Sequence, residues 1–115
     1  MTHTYSLGLD FDGTLCNSDY PNIGGPIQPV IDYALKKKEQ GWKLILITMR
    51  EGKVLEQAIE WCKEQGLEFD SINDNLPEMK AFYKNNPRKI YCTEYIDDHN
   101  VVIQRKANIG RVEKI

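Results

Sequence analysis

Two pairs of aspartates, each placed directly after a run of apolar residues, are the residues of this sequence best suited to chemistry. Asp10 and Asp12 follow the first apolar run of the chain, and Asp97 and Asp98 follow a later one. A third apolar run ends at a hydroxyl residue, Thr48. Carboxylates can act as nucleophiles, as acids and bases, or as oxygen ligands for a hard cation. These five positions are therefore the first candidates for a functional site.

Several simpler explanations of the first acidic pair were weighed. Asp12-Gly13 alone is also typical of a hairpin turn, with the acids incidental to it. A calcium loop needs an acid or amide at position 14 and Gly at 15, where the chain has Thr14 and Leu15. Neither G-x-G-x-x-G nor G-x-x-x-x-G-K-[ST] occurs in the sequence. Dinucleotide-binding and P-loop chemistry are therefore not indicated.

Strands and amphipathic helices alternate along the chain. Apolar runs of strand length predict strands at residues 5–9, 43–47, 67–72 and 90–96. Residues 101–115 are expected to add at most a weak final strand. Helical spacing of apolar residues predicts helices over about 27–40 and 53–65, ended by Gly41 and Gly66, and a short helix opened by Pro77. Residues 14–26 are rich in Gly, Pro, Asn and Asp and are predicted to form a loop.

This alternation predicts an α/β fold: a Rossmann-like three-layer α/β/α sandwich with a mostly parallel sheet of four to five strands. Such sheets bind ligands at the carboxyl ends of their strands, near the point where the strand order reverses. The polar residues that end the predicted strands should then meet at one edge of the sheet: Asp10, Asp12, Thr48, Asp97 and Asp98.

Composition narrows the classes of function. The 115 residues fit one domain, 1–115, and the net charge of −2 gives no basic field that would attract nucleic acid. No leader and no apolar stretch long enough to span a membrane is apparent, so a cytoplasmic protein is expected. Cys16, Cys62 and Cys92 lack C-x-x-C spacing, and His3 and His99 do not complete a four-ligand zinc site with them. The cysteines are expected to be reduced and structural.

Four segments, in order, resemble the motifs of the haloacid dehalogenase (HAD) superfamily, in which phosphatases dominate. Leu9-Asp10-Phe11-Asp12-Gly13-Thr14-Leu15 matches the first motif, and Leu44-Ile45-Leu46-Ile47-Thr48 matches the second. The third motif is a lysine, for which Lys89 is the better candidate and Lys80 the alternative. Tyr95-Ile96-Asp97-Asp98 matches the fourth. The resemblance covers about residues 5 to 100 and is strongest to a small capless branch of predicted bacterial and phage hydrolases.

The resemblance implies a magnesium-dependent phosphomonoester phosphatase that works through an aspartyl phosphate. Asp10 would be the nucleophile, and Asp12 would protonate the leaving alcohol and then activate water. Thr48 would hydrogen-bond a phosphoryl oxygen. Lys89 would neutralise the phosphoryl group and orient Asp10.

The resemblance also implies a Mg²⁺ site, held by Asp10, the backbone carbonyl of Asp12, and Asp97 with Asp98, either of which could be the direct ligand. Electrostatics agree with a divalent cation. With Asp12 protonated, the three other acids and Lys89 leave a charge of −2, which would repel a phosphate dianion unless a cation offset it.

Substrate-binding residues are expected in the same turns: Gly13, Thr14, Met49 and Arg50. Arg50 has two interpretations, a clamp for a second anionic group or an ordinary surface arginine. The expected ligand is a phosphorylated small molecule or a phosphate group presented by a larger partner. Because no cap domain fits within the chain, closure of the site by another subunit of a homo-oligomer is a further possibility.

Two other functions were kept open. A phosphoacceptor receiver domain has similar length, a parallel sheet, and acids, a hydroxyl residue and a lysine at its strand ends, but its accepting aspartate follows a middle strand. Here the middle strand ends in Thr48, and the Asp10-Phe11-Asp12 segment comes first. A non-catalytic phosphate-binding regulatory domain on the same fold is the other alternative.

Overall fold

The computed structural model describes residues 4–74, 76–77, 90–97, 101–106 and 109–114. Their helices and strands are, in chain order, β1 (Ser6–Asp10), β2 (Cys16–Asp19), β3 (Asn22–Pro26), α1 (Gln28–Glu39), β4 (Lys43–Ile47), α2 (Gly52–Glu64), β5 (Ser71–Ile72), β6 (Glu94–Ile96), β7 (Val101–Lys106) and β8 (Ile109–Lys114).

A six-stranded sheet in the order β5-β4-β1-β6-β7-β8 forms the framework. The first four strands are parallel, and β7 and β8 join the β6 edge as an antiparallel pair. β1 pairs with β4 on one side and with β6 on the other. The predicted α/β class with a parallel sheet is confirmed, and the arrangement is consistent with a Rossmann-like fold.

The central strands are buried on both faces, which explains their unbroken apolar sequences. Leu44 and Leu46 of β4 are 0% exposed and belong to one core cluster, whereas Ile45, between them, belongs to a second cluster. Successive side chains of a strand point to opposite faces. A covered strand therefore needs apolar residues at every position, as the sequence of β4 predicted.

Both described helices cover the same face of the sheet. Val30, Ile31 and Ala34 of α1 and Ala58 and Cys62 of α2 are buried in one cluster with apolar residues of β1 and β4. The helices lie within two residues of their predicted bounds. Each is followed by a glycine with positive φ, +90° at Gly41 and +85° at Gly66, as predicted for a left-handed helix stop.

The prediction of a loop over residues 14–26 is wrong, because β2 and β3 in this segment pair as an antiparallel hairpin. Its turn formers cluster at the hairpin turn, where Tyr20 and Pro21 lie, and Gly24 permits a close approach of the two strands. A Cβ at Gly24 would lie 2.3 Å from the backbone oxygen of Asn17. A two-stranded ribbon exposed to solvent needs neither apolar alternation nor high strand propensity, which is why the composition was misleading.

Three other predicted boundaries change. The strand predicted over 67–72 is limited to Ser71–Ile72, and that predicted over 90–96 is limited to Glu94–Ile96. The weak final strand is instead a pair, β7 and β8, so the sheet exceeds the predicted four to five strands. These two strands alternate apolar with charged residues, which weakened the strand pattern. Most of the short helix predicted after Pro77 lies outside the described residues.

The three cysteines are buried and free, as expected for structural thiols. Burial raises the pKa of Cys62 to about 12, and burial is also the main cause of the raised pKa of Cys16. The thiolate is the nucleophilic form of cysteine. These two side chains therefore contribute packing at neutral pH and no reactivity.

Among the described residues, no helix combines the length and the apolar character needed to cross a membrane.

Replacing Gly8 with Ala should destabilise the fold, because Gly8 allows β1 to approach the second core cluster. A Cβ there would lie 2.7 Å from Cys92 Sγ and 3.1 Å from side-chain carbons of Ile47 and Tyr95. Urea unfolding should show a loss of about 1 to 3 kcal/mol in the free energy of unfolding. In the matched control, Gly25→Ala, the Cβ meets only Asn17 Nδ2, at 3.6 Å, so little change is expected. Equal losses in the two variants would contradict this account of Gly8.

Candidate active site

The polar residues that end β1, β4 and β6 meet at the edge of the sheet where the strand order reverses. Counted along the chain, the parallel strands lie in the order third, second, first, fourth, so the reversal falls between β1 and β6. A cleft of about 360 Å³ opens there. It is lined by Gly8, Asp10, Ile47, Thr48, Met49, Tyr95, Ile96 and Asp97.

Asp10 is held at the end of β1 by the turn that follows. Its Oδ1 accepts a hydrogen bond from the backbone N–H of Phe11 at 2.8 Å. The carbonyl of Phe11 in turn accepts bonds from the N–H groups of Thr14 at 3.1 Å and Leu15 at 3.0 Å. Phe11 itself is 0% exposed and packs edge-on against Trp61. A buried aromatic anchor between the two acids therefore fixes the backbone on which Asp10 and Asp12 are mounted.

Asp12 forms a bidentate ion pair with Arg50. Arg50 Nε donates to Asp12 Oδ2 at 2.9 Å, and Nη2 donates to Oδ1 at 2.7 Å. The Arg50 side chain is 1% exposed and that of Asp12 is 24% exposed. Hydrogen bonds from Arg50 to Asp12 raise the pKa of the guanidinium further above its usual value. This pair places a permanent positive charge beside Asp12.

The remaining donors of Arg50 are satisfied by backbone carbonyls. Nη1 donates to the oxygens of Pro21 and Val54 at 3.2 and 3.3 Å, and Nη2 donates to that of Asn22 at 2.8 Å. A guanidinium has five N–H donors, and the five bonds use them all. Arg50 is therefore buried, which is incompatible with its interpretation as a surface arginine, and no N–H is left over for a second anionic group.

Thr48 lies at the end of β4 with its backbone and hydroxyl both engaged. Its N–H donates to Asn73 Oδ1 at 2.8 Å, and its Oγ1 accepts a bond from the N–H of Arg50 at 3.1 Å. No described residue accepts a hydrogen bond from the Thr48 hydroxyl, so its O–H can donate to a ligand in the cleft. The next residue, Met49, is 100% exposed at the mouth of the cleft.

Gly13 and Thr14 form the tight turn after Asp12. The N–H of Gly13 donates to the carbonyl of Cys16 at 2.8 Å, and the side chain of Thr14 is buried. Within the described part of the chain, Thr14 Oγ1 is a buried polar atom without a hydrogen-bond partner. In this arrangement both residues shape the turn, and their predicted contact with substrate stays a prediction.

Only part of the predicted metal and phosphate site can be placed. Asp10 and Asp97 line the same cleft, whereas Asp98, Lys80 and Lys89 lie outside the described residues. Within the described ranges, no group of three or more His, Cys, Asp and Glu side chains could hold a metal ion. The two carboxylates present the oxygen donors that Mg²⁺ prefers, so the chemistry of the donors fits the predicted metal.

Sequence reasoning missed two residues that organise this edge of the sheet. Asn73 adopts a left-handed backbone, with φ of 53°, and bonds β4 and its following turn through both its N–H and its side chain. The positive φ of an Asn directly after a strand is a recognisable local signal. The pairing of Arg50 with Asp12 gave no such signal, because it joins residues 38 positions apart.

Comparison with known proteins gives one informative similarity. No protein-family model matches the chain, and no curated protein matches it. A solved structure of a conserved protein coded by a locus of Bacteroides thetaiotaomicron is 36% identical, with a TM-score of 0.72. The match covers 85% of this chain and 78% of that protein. Identity and coverage of this size establish a shared family and fold and carry no information on activity.

Replacing Asn73 with Gly should loosen the end of β4, because Gly keeps the left-handed backbone and loses the acceptor for the Thr48 N–H. The free energy of unfolding should fall by about 1 kcal/mol relative to Asn73→Asp, which keeps a side-chain oxygen at the same position. Chemical unfolding of the two variants measures the difference. Equal stability of both would mean that the bond between Asn73 and Thr48 is unimportant.

Proposed function

We propose that this chain, which belongs to the same family as the conserved Bacteroides thetaiotaomicron protein, is a magnesium-dependent phosphomonoester phosphatase of the HAD type. The observation that supports this most strongly is the convergence of Asp10, Thr48 and Asp97 on one cleft at the strand-order reversal. Parallel α/β sheets bind ligands at this place. The same cleft holds the candidate nucleophile, a hydroxyl donor and a second carboxylate.

The proposed reaction has two steps at phosphorus. An Asp10 oxygen attacks the phosphorus atom, the bond to the leaving alcohol breaks, and Asp12 supplies the proton that the alcohol needs. Asp12 then takes a proton from a water molecule, whose oxygen attacks the same phosphorus and releases Asp10 with inorganic phosphate. Each Asp12 oxygen has a second lone pair beyond its bond to Arg50, so the ion pair leaves it able to exchange a proton.

Asp10, Asp97, the backbone carbonyl of Asp12 and Asp98 would hold Mg²⁺, which when bound offsets the negative charge of the phosphoryl oxygens. The expected charge count needs one addition, because it omitted Arg50. Arg50 balances Asp12 within a buried pair. The uncompensated negative charge in the cleft then belongs to Asp10, Asp97 and the predicted ligand Asp98, which still favours a divalent cation.

The finer predictions on structure and ligand belong to the same proposal. The described helices cover one face of the sheet, and the predicted helix after Pro77 would supply the third layer of the α/β/α sandwich. The cleft has no domain above it among the described residues. A phosphorylated small molecule or a phosphate presented by a larger molecule is the proposed ligand, with Lys89 or Lys80 as the phosphate-neutralising lysine.

Strand order supports a phosphatase over the receiver-domain alternative. The parallel strands here run third, second, first, fourth across the sheet, whereas flavodoxin-like receiver sheets run second, first, third, fourth, fifth. The acid after the first strand is therefore central in this sheet. A non-catalytic phosphate-binding domain shares this topology, and turnover distinguishes the two.

The purified protein should hydrolyse an aryl phosphate, and some members of a panel of sugar phosphates and nucleotides, in the presence of Mg²⁺ and not after chelation. Asp10→Asn should reduce release of inorganic phosphate to the rate in buffer, because an amide is a poor nucleophile. Asp32→Asn is a matched control, since Asp32 is exposed on α1 and bonds Gln28. Hydrolysis by Asp10→Asn at the wild-type rate would refute the nucleophile, and no hydrolysis by either protein of any substrate would refute the enzyme.

Thr48→Val should lower kcat/KM about 10²-fold, because a donor to the phosphoryl oxygen is lost. Thr48→Ser keeps the hydroxyl and should stay within a few-fold of wild type. The comparison is made by steady-state kinetics on one substrate, with thermal unfolding to show that both variants are folded. If Thr48→Val and Thr48→Ser have the same kcat/KM, the hydroxyl does not contact the phosphoryl group.

A further inference from the structure

We propose that Arg50 is a positioning residue, which fixes the carboxylate of Asp12 and ties it to the turn of the β2–β3 hairpin. The inference rests on the proposed phosphatase function for the role of Asp12. It reassigns Arg50 from a predicted substrate ligand to a residue that acts through another side chain.

The geometry of the pair constrains Asp12 in rotation as well as in place. Two parallel N–H bonds, of 2.9 and 2.7 Å, join one guanidinium edge to both carboxylate oxygens. Such a bidentate contact sets the plane of the carboxyl group, which a single bond from a lysine cannot do. The acid–base group therefore has one defined orientation toward the cleft edge.

The other side of the guanidinium is attached to the hairpin and to α2. The carbonyls of Pro21 and Asn22 at the hairpin turn, and that of Val54 in the first turn of α2, accept its three remaining donors. These acceptors are backbone atoms, so the link depends on the path of the chain. A displacement of the hairpin turn would break bonds to Arg50, and a displacement of Arg50 would move Asp12.

Two aromatic rings complete the enclosure. The guanidinium carbon lies 4.9 Å from the ring centroid of Phe11 and 5.0 Å from that of Tyr20. Tyr20 is 62% exposed, whereas Arg50 beside it is 2% exposed. The exposed hairpin turn thus shields the buried ion pair from water. Shielding strengthens the electrostatic attraction between Arg50 and Asp12, and makes the loss of either partner costly.

The dependence on the leaving group separates positioning from general stability. A poor leaving group, such as an alkyl alcohol, needs a proton from Asp12 as its bond to phosphorus breaks, whereas dinitrophenolate leaves without one. kcat/KM reports the steps up to the first transfer and is independent of the later hydrolysis of the aspartyl phosphate. A misplaced Asp12 should therefore affect the two kinds of ester unequally.

The test compares Arg50→Lys with wild type on an alkyl phosphate and on dinitrophenyl phosphate, with Mg²⁺. kcat/KM should fall about 10²-fold for the alkyl ester and less than about threefold for the aryl ester. In an Asp12→Asn background, Arg50→Lys should have no further effect on the alkyl ester. Equal losses on both esters, no loss on either, or the same loss in the Asp12→Asn background would overturn the proposal.

A matched control places the same change elsewhere. Arg105 lies on β7 one residue beyond Gln104, which pairs with Glu94 at the start of β6. This is the end of β6 remote from Asp97, so Arg105→Lys should leave both values of kcat/KM unchanged. A loss with Arg105→Lys equal to that with Arg50→Lys would attribute the effect to the substitution itself.

A second measurement holds if Arg50→Lys fails to fold or if the protein hydrolyses no ester. Asp12→Asn replaces one acceptor of Arg50 with a donor, so backbone amides of the hairpin turn should exchange with deuterium faster in this variant than in wild type. Asp32→Asn should leave their exchange unchanged. Wild-type protection of the turn in Asp12→Asn would overturn the link between Asp12 and the hairpin. Faster exchange without any turnover would support the link and count against the phosphatase.

Discussion

The parallel pairing of β1 with β4 on one side and β6 on the other is the constraint on which the candidate site depends. A strand held on both edges and covered on both faces cannot shift its register without exposing Leu7 and Leu9, which are completely buried. The end of β1 is therefore fixed relative to its neighbours. Because all three strands run in the same direction, the residues that follow them meet at one edge, and Asp10, Thr48 and Asp97 line one cleft.

Around this framework, the residues at the sheet edge are held by polar contacts of decreasing sequence locality. Phe11 anchors the backbone between the two acids, Asn73 holds the turn after β4, and Arg50 joins Asp12 to the hairpin. Each contact fixes a different degree of freedom: the course of a turn, the end of a strand and the rotation of a carboxylate. A proposed phosphatase site assembled in this way has its reacting groups on rigid elements and its cover in the adjoining hairpin.

The sequence predicted the parts of this structure that follow from period and burial. The two helices, their glycine stops and the central strands carry strong patterns, and so does the placement of polar residues at strand ends. The hairpin was missed because its strands, Cys16–Asp19 and Asn22–Pro26, are largely exposed and need no apolar pattern. The buried position of Arg50 was missed because a charged residue is predicted to be exposed unless its partner is known, and Asp12 is distant in sequence. The family of the chain follows from comparison, whereas the HAD-type chemistry comes from the motifs and is a proposal.

The central claim, covalent catalysis by Asp10, is tested most directly by trapping the aspartyl phosphate. Asp12→Asn should accumulate this intermediate on an activated aryl phosphate with Mg²⁺, since the leaving group needs no proton and the second step lacks its base. Borohydride reduction after acid quenching converts an aspartyl phosphate to homoserine, which peptide mass spectrometry locates. The account predicts homoserine at residue 10, only when substrate and Mg²⁺ are both present. Phosphate release by the wild-type protein with unmodified Asp10 in both proteins would contradict it.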